Sequence, residues 1–246
     1  MKKIDINCDM GEGIGNDEAI IPFVNSVNIA CGFHAGNGSI MRQTIQLALK
    51  HEVNIGAHPS FRDKENFGRK EMHLNADKVY ALILEQLIKI DLIAKEEGAT
   101  IRHVKPHGAL YNMASRDAQL ARTIAQAIMD FNENLVLYGL SGSFLIREAE
   151  MIGLNTANEV FADRTYQDDG RLTSRSQLHA LIEDENECVR QVLQMIQEGC
   201  VTSVTGKQIP IVADTICIHG DGRFALTFAK KLYKVLQEDN LATKTF

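Results

Sequence analysis

Short β-branched runs alternate with longer helical patterns along this whole sequence, and that alternation limits the fold more than any other feature. The runs expected to be strands are Lys3–Cys8, Ser26–Ala30, Asn54–Ala57, Ile101–Lys105, Leu135–Tyr138, Asn155–Val160 and Thr215–Ile218. Helices are expected at Gly38–His51, Ala76–Glu97, Arg116–Asn132, Ser143–Met151, Ser176–Glu198 and Gly222–Glu238. In Ala76–Glu97 the apolar residues Val79, Leu82, Ile83, Leu87, Ile90 and Ile93 keep to one face, and Gly98 stands where a helix C-cap glycine belongs. Strands separated by helices pair in parallel, because parallel neighbours need long crossovers. Two closures satisfy that rule, an open doubly wound sheet and a barrel. A dinucleotide-binding sheet would carry GxGxxG after its first strand, whereas Gly11-Glu12-Gly13-Ile14-Gly15 places an acid where a pyrophosphate would lie. No Walker loop is present either, since Gly206-Lys207-Gln208 lacks the hydroxyl residue after the lysine. The expected architecture is therefore a (β/α) barrel.

A chain of 246 residues fits one such barrel, with a single domain spanning 1–246 and no linker or low-complexity tract to divide it. The net charge of −6 argues against nucleic acid or an anionic membrane as the main partner, without excluding a local basic pocket. Five cysteines (Cys8, Cys31, Cys188, Cys200, Cys217) contain no CxxC pair and read as reduced thiols in a reducing compartment. No apolar core of signal-peptide length follows Met1-Lys2-Lys3, and no stretch approaches the ~20 apolar residues of a membrane span. A soluble, cytoplasmic protein is expected.

Strand parity locates the chemistry. Side chains two apart share a face, so Asp5, Asn7 and Asp9 oppose Ile4, Ile6 and Cys8. Likewise His103, Lys105 and His107 oppose Val104 and Pro106, and Thr215, Cys217, His219 and Asp221 oppose Ile216 and Ile218. The second and third strands add Asn28 with His34, and Gly56 with His58. The apolar sets would meet the helices and leave the polar sets facing inwards. Ionisable residues gather at the strand ends, through Asp9, His34, His58, His107, Glu159 and His219, where this fold places catalytic groups. Blander readings stand beside each motif. Asp9 and Asp221 are plausible caps, Gly32 to Gly36 a plain loop, and Glu159 to Arg164 a surface loop with ion pairs. Gly32 and Gly36 are read as admitting backbone amides to a ligand beside His34. The basic loop Asn66-Phe67-Gly68-Arg69-Lys70 divides evenly between surface and anion contact. Lys105, at the end of a buried strand, calls for an anionic partner or substrate. His51, His73 and His179 read as surface residues.

Taken in order, several stretches resemble the LamB/YcsF family, that of the 5-oxoprolinase A subunits. They are Asp5-Ile6-Asn7-Cys8-Asp9-Met10-Gly11-Glu12, Asn28-Ile29-Ala30-Cys31-Gly32-Phe33-His34-Ala35-Gly36, Gly56-Ala57-His58-Pro59-Ser60-Phe61 and Val104-Lys105-Pro106-His107-Gly108-Ala109-Leu110-Tyr111-Asn112. Glu159-Val160-Phe161-Ala162-Asp163-Arg164 and Ile218-His219-Gly220-Asp221 complete them, so the resemblance covers nearly the whole chain. It implies an irregular seven-stranded, TIM-like α/β barrel related to the polysaccharide deacetylases. It also implies ATP-dependent opening of the 5-oxoproline (pyroglutamate) ring to L-glutamate, with ATP accompanied by Mg, in a complex with two further subunits, B and C.

A lactam is a stable amide, and phosphorylating its oxygen would make it open to attack by water. Asp9, His58 or His107 is expected to supply the base. Lys105, with Arg69 or Arg164, would stabilise phosphate or oxyanion charge. Asn7, Glu12, His34, Glu159, His219 and Asp221 are expected to bind substrate or orient those groups. Lys105→Ala and His107→Ala are expected to fold and to lose ring opening. A second reading is a metal-dependent amide hydrolase or deacetylase with Asp9, His58 and His107 as ligands. A third is a non-catalytic ligand-binding subunit. The ATP site and self-association are left open.

Overall fold

The computed structural model describes residues 4–222, 224–238 and 241. Its strands are β1 (Asp5–Met10), β2 (Ser26–Ala30), β3 (Asn54–His58), β4 (Ile101–Val104), β5 (Val136–Leu140), β6 (Asn155–Phe161), β7 (Cys200–Thr202), β8 (Gln208–Pro210) and β9 (Thr215–Ile218). Its helices are α1 (Asp17–Ile20), α2 (Gly38–Lys50), α3 (Ala76–Glu96), α4 (Gly108–Ala114), α5 (Ala118–Phe131), α6 (Phe144–Met151), α7 (Glu185–Gln197) and α8 (Ala225–Glu238). Seven strands close into a barrel in the order β1-β2-β3-β4-β5-β6-β9. Every adjacent pair is parallel, including the closing pair of β1 and β9, with Asp5 opposite Thr215. All seven expected strands are these seven; Lys3, expected to open the first, lies outside the described residues.

Parity sorts the barrel wall as the sequence implies. Ile4, Ile6, Cys8 and Met10 are buried in the apolar layer with Ile45, Ile216 and Leu232. The alternate residues fill the barrel with polar groups instead of the branched apolar layers usual in this architecture. Asp5, Asn7, Ser26, Asn28, Glu159 and Thr215 are all fully buried. Such groups cost several kcal/mol each unless they are hydrogen-bonded, and here they bond one another. Ser26 and Thr215 donate their hydroxyls to Asp5, Asn7 donates to Thr215 at 2.7 Å and Glu159 at 3.0 Å, and Asn28 donates to Asn7 at 2.7 Å. Burial pushes the Asp5 carboxyl up to about 7, against the lowering pull of its hydroxyl partners.

Side-chain caps explain where helices begin. Asn37, Asn75, Asp117 and Asp184 accept from backbone N–H groups in the first turns of α2, α3, α5 and α7. Gly98, at φ +75°, ends α3 in the left-handed conformation expected of it. The helix expected from Ser176 instead begins at Glu185. Residues 175–179 form turns, and the stretch that follows is pinned to the chain just after β6, through Thr165 N–H to the Ala180 carbonyl and Ile182 N–H to the Asp163 carbonyl. Asp184 then supplies the cap. The helix expected from Arg116 is α5, which starts at Ala118 behind the Asp117 cap. A further helix that the sequence reading did not expect, α4, precedes it with His107 as N-cap directly after Pro106, where the proline obstructs no helical bond. The β7–β8 hairpin is too short to show a strand period. All five cysteines are free thiols and four are buried. Among the described residues no helix is long and apolar enough to cross a membrane.

Candidate active site

At the C-terminal end of the strands the polar filling opens into a cavity of about 510 Å³, within the range of small-molecule sites. Its floor is Lys105, 3% exposed, whose Nζ lies 2.9 Å from Asp9 Oδ1, 2.8 Å from Glu159 Oε1 and 2.9 Å from Cys217 Sγ. Burial alone would strip its proton, but Asp9, Cys217 and Glu159 hold its pKa well above the usual lysine value. Lys105 is thus a fixed cation, suited to an anion and unsuited to act as a base. Burial pushes Asp9 up, but His58 and the Lys105 ammonium beside it outweigh it and keep the carboxylate well below its usual range. Asn28 fixes the same Asp9 oxygen at 2.9 Å. Asn28 in turn accepts from His103 Nε2 at 2.8 Å.

Beside Asp9 stand three imidazoles whose outer nitrogens are each taken. His58 Nδ1 donates to the Lys105 carbonyl at 2.7 Å, and His107 Nε2 donates to the Phe67 carbonyl at 2.9 Å. The Ser60 hydroxyl gives its one hydrogen to the Phe61 carbonyl, so it must accept from His34 Nδ1, 2.9 Å away. These bonds fix all three tautomers and turn a bare nitrogen of each ring towards Glu12. His58 Nε2 and His107 Nδ1 are 2.9 Å apart, His34 Nε2 is 3.3 Å from Glu12 Oε1, and His107 Nδ1 is 3.7 Å from the same oxygen. Burial, and then Asp9, push the Glu12 carboxyl well above its usual range. The four donor atoms lie within 4.8 Å of one another, a spacing and chemistry that fit a divalent cation.

The loops around this centre come close because glycine permits it. Gly68, at φ +65°, leaves no room for a Cβ, which would stand 2.8 Å from His34 and 2.9 Å from His107. Phe67 lies edge-on to both rings. The basic loop is therefore a wall of the site. Arg69 is paired with Asp221 across its rim. His219 is held by Asp163 at 2.9 Å. Five arginines, Arg69, Arg116, Arg164, Arg171 and Arg175, line the cavity of a chain whose net charge is −6.

Asp9, His58, Lys105, His107 and His219 all line this one cavity, with His34 and Glu12 against the histidines and Asn7 and Glu159 directly beneath. Two expectations change. Arg164 spends Nε and Nη2 on the Ala180 and Thr173 carbonyls, so it tethers the loop after β6 as well as lining the cavity. Gly36 serves loop packing rather than a ligand, since a Cβ there would meet the Gly11 carbonyl at 2.5 Å. Beside the metal set of Asp9, His58 and His107 stands another, Glu12, His34, His58 and His107; Asp9 Oδ1 is engaged by Lys105 and Asn28, while its Oδ2 lies 3.4 Å from His58 Nε2. His73 and His179 are exposed and His51 half-buried, away from the cavity lining. Sequence reading quoted Ser60 and Asp163 within motifs without giving either a role, and did not single out Gln86. Gln86 of α3 accepts from Ser60 N–H and donates to the Ser60 carbonyl, which sets the residue that orients His34. The one available signal was a glutamine on the apolar face of an otherwise regular helix.

Comparison with known proteins finds relatives over nearly the whole chain. A relative from Geobacillus kaustophilus (strain HTA426), named as the A subunit of 5-oxoprolinase, is 54% identical over 246 residues, covering 98% of this chain and 96% of the relative. The crystal structure of a lactam utilization protein from Thermus thermophilus superposes with a TM-score of 0.92 at 39% identity, covering 99% of this chain and all of that one. A family 4 carbohydrate esterase from Streptomyces lividans shares the fold alone, with a TM-score of 0.53 at 12% identity over 99% of this chain and 91% of the other. The LamB/YcsF family model matches residues 4–246, and the chain belongs to that family.

Proposed function

We propose that this chain is the A component of a cytoplasmic, ATP-dependent 5-oxoprolinase, opening the 5-oxo-L-proline ring to L-glutamate with subunits B and C. The names of its relatives support the substrate. The observation that carries the reading is Lys105, a buried cation held between Asp9 and Glu159 under a cavity walled by histidines and arginines. Ring opening adds water across the lactam C–N bond. When the lactam oxygen carries a phosphoryl group from ATP, the carbon accepts water, and the adduct expels the ring nitrogen as a protonated amine to leave an acyl phosphate. A second water displaces phosphate, whose charge the cavity's cations neutralise. Lys105 and Arg69 are the residues assigned to that anion. Asp9, kept ionised, and the inner nitrogens of His58 and His107 are the acceptors for the proton of the attacking water. Asn7, Glu12, His34, Glu159, Arg164, His219 and Asp221 are assigned to holding substrate or those groups.

The convergence of Glu12 with three imidazoles favours a second reading, a metal-assisted amide hydrolase. An ion held there would supply Lewis-acid polarisation of an amide carbonyl. The deciding experiment measures glutamate released from 5-oxoproline and ATP by this chain alone, by subunits B and C alone, and by all three. Release that requires all three and ATP supports the proposal. Release by the chain alone without ATP supports the second reading, and none in any mixture overturns the first.

A further inference from the structure

We infer that Glu12, His34, His58 and His107 form a binding site for one divalent transition-metal ion of the zinc class. The inference goes beyond the 5-oxoprolinase reading, which calls for no ion inside the barrel. It starts from hydrogen bookkeeping. With Nδ1–H of His58 committed to the Lys105 carbonyl and Nε2–H of His107 to the Phe67 carbonyl, the two nitrogens that face each other at 2.9 Å both present lone pairs. His34 Nε2, opposite the Glu12 carboxylate, is in the same position because Ser60 takes its Nδ1–H. Three imidazole lone pairs converge on the Glu12 carboxyl with no ring hydrogen between them. A cation satisfies all four at once, whereas one extra proton satisfies a single contact.

The distances suit an ion. Donors ~2.1 Å from a shared metal stand roughly 3.0 Å apart at right angles and roughly 3.4 Å apart at the tetrahedral angle. Three of the six separations are 2.9, 3.3 and 3.7 Å, and all lie within 4.8 Å. The outer shell has the form that metal-bound histidines take, each ring donating its other N–H to a carbonyl or hydroxyl that fixes its orientation. Behind that shell Gln86 clamps both backbone groups of Ser60. Three neutral imidazoles and one carboxylate select zinc or a neighbouring first-row ion over magnesium or calcium, which take oxygen ligands. A second group of potential ligands, Asp9, Cys217 and His219, lies across the cavity. There the Lys105 ammonium sits 2.9 Å from both Asp9 Oδ1 and Cys217 Sγ and fills the position a metal would need.

The test uses the full chain without a histidine tag, stripped with a chelator and dialysed against Zn2+, then against Co2+. One equivalent of zinc is expected to remain bound, and cobalt is expected to give the visible absorption of a low-coordinate nitrogen–oxygen site. His34→Ala and His107→Ala should each weaken zinc binding by at least ~100-fold, and Ser60→Ala, which removes only an outer-shell acceptor, by ~10-fold. Cys217→Ser should bind like the wild type. Glu12→Gln keeps the shape of the side chain and gives a second ligand variant should a histidine variant fail to fold. Substoichiometric zinc in the wild type, undiminished binding in the ligand variants, or loss of binding in Cys217→Ser would each overturn the assignment. None of these results depends on turnover, so the site and the 5-oxoprolinase reading can fail separately.

Discussion

Gly56→Ala should damage this barrel far more than a methyl group in a strand ordinarily does. Gly56 stands in β3 between Asn28 of β2 and His103 of β4, in register with both. The His103 side chain crosses over it to reach Asn28, so a Cβ at position 56 would lie 2.1 Å from His103 Nε2. The ring would have to retreat by roughly 1.3 Å to reach ordinary contact distance from that 2.1 Å position. It is stacked on Tyr138 with centroids 4.2 Å apart, which leaves little room to move. Overpacking of this kind costs about 3 kcal/mol, or a thermal midpoint ~6–12 °C lower. Retreat also withdraws the donor from Asn28, which orients Asp9, so turnover should fall together with stability. Chemical denaturation of Gly56→Ala, His103→Ala and the double variant isolates the clash. With the ring gone the new methyl fits, and the cycle should show coupling of at least ~2 kcal/mol. A Gly56→Ala variant within ~0.5 kcal/mol of wild type, or additive effects, would refute the packing described here.

Other consequences follow from the same interior. Lys105→Met leaves Asp9 and Glu159 without their shared cation, so it should lose about 3–5 kcal/mol by urea titration as well as ring opening. Sequence reasoning alone expected Lys105→Ala to fold normally, and the doubly paired ammonium is why it should not. Asp5, at about 7 in the folded chain against 3.8 as a free side chain, is neutral where the fold is most favoured. Its stabilising share is complete below the unfolded value and is lost as pH rises through the folded one, a difference of about 4 kcal/mol. Asp5→Asn should therefore gain on the wild type by up to that amount between pH ~4 and ~8, and parallel stability curves would contradict this. Gln86→Leu frees both backbone groups of Ser60 and should cost about 2–4 kcal/mol, with weakened turnover through His34. An unchanged thermal transition would show that the clamp is not needed.

The barrel was legible because its two periods are strict. Alternation in Asp5-Ile6-Asn7-Cys8-Asp9 is satisfied by a wall with one polar and one apolar face, and seven strand segments separated by helices leave few closures. Parity also brought Asp9, Lys105, His107 and His219 to one face without any knowledge of their partners. What the sequence hid depends on contacts between distant segments. Nothing local to Gln86 says that it grips Ser60, and nothing near Gly56 says that an imidazole from β4 lies over it. The start of α7 was misplaced for the same reason: helical periodicity reaches back to Ser176, but pairing with the chain just after β6 and the Asp184 cap override it. Glu12 looked like an obstacle to a phosphate loop, and only the folded chain shows it closing a ring of histidines.

An ionised Asp9 beside Lys105 is central to the proposed chemistry. Asp9→Asn keeps an oxygen for Asn28 and Lys105 while removing the charge. Glutamate formation by the reconstituted three-subunit enzyme carrying this variant, compared with its cooperative unfolding transition, is the most direct measurement. The expected result is a folded chain with turnover lowered at least ~100-fold. Near wild-type turnover by a folded Asp9→Asn chain would contradict the assignment.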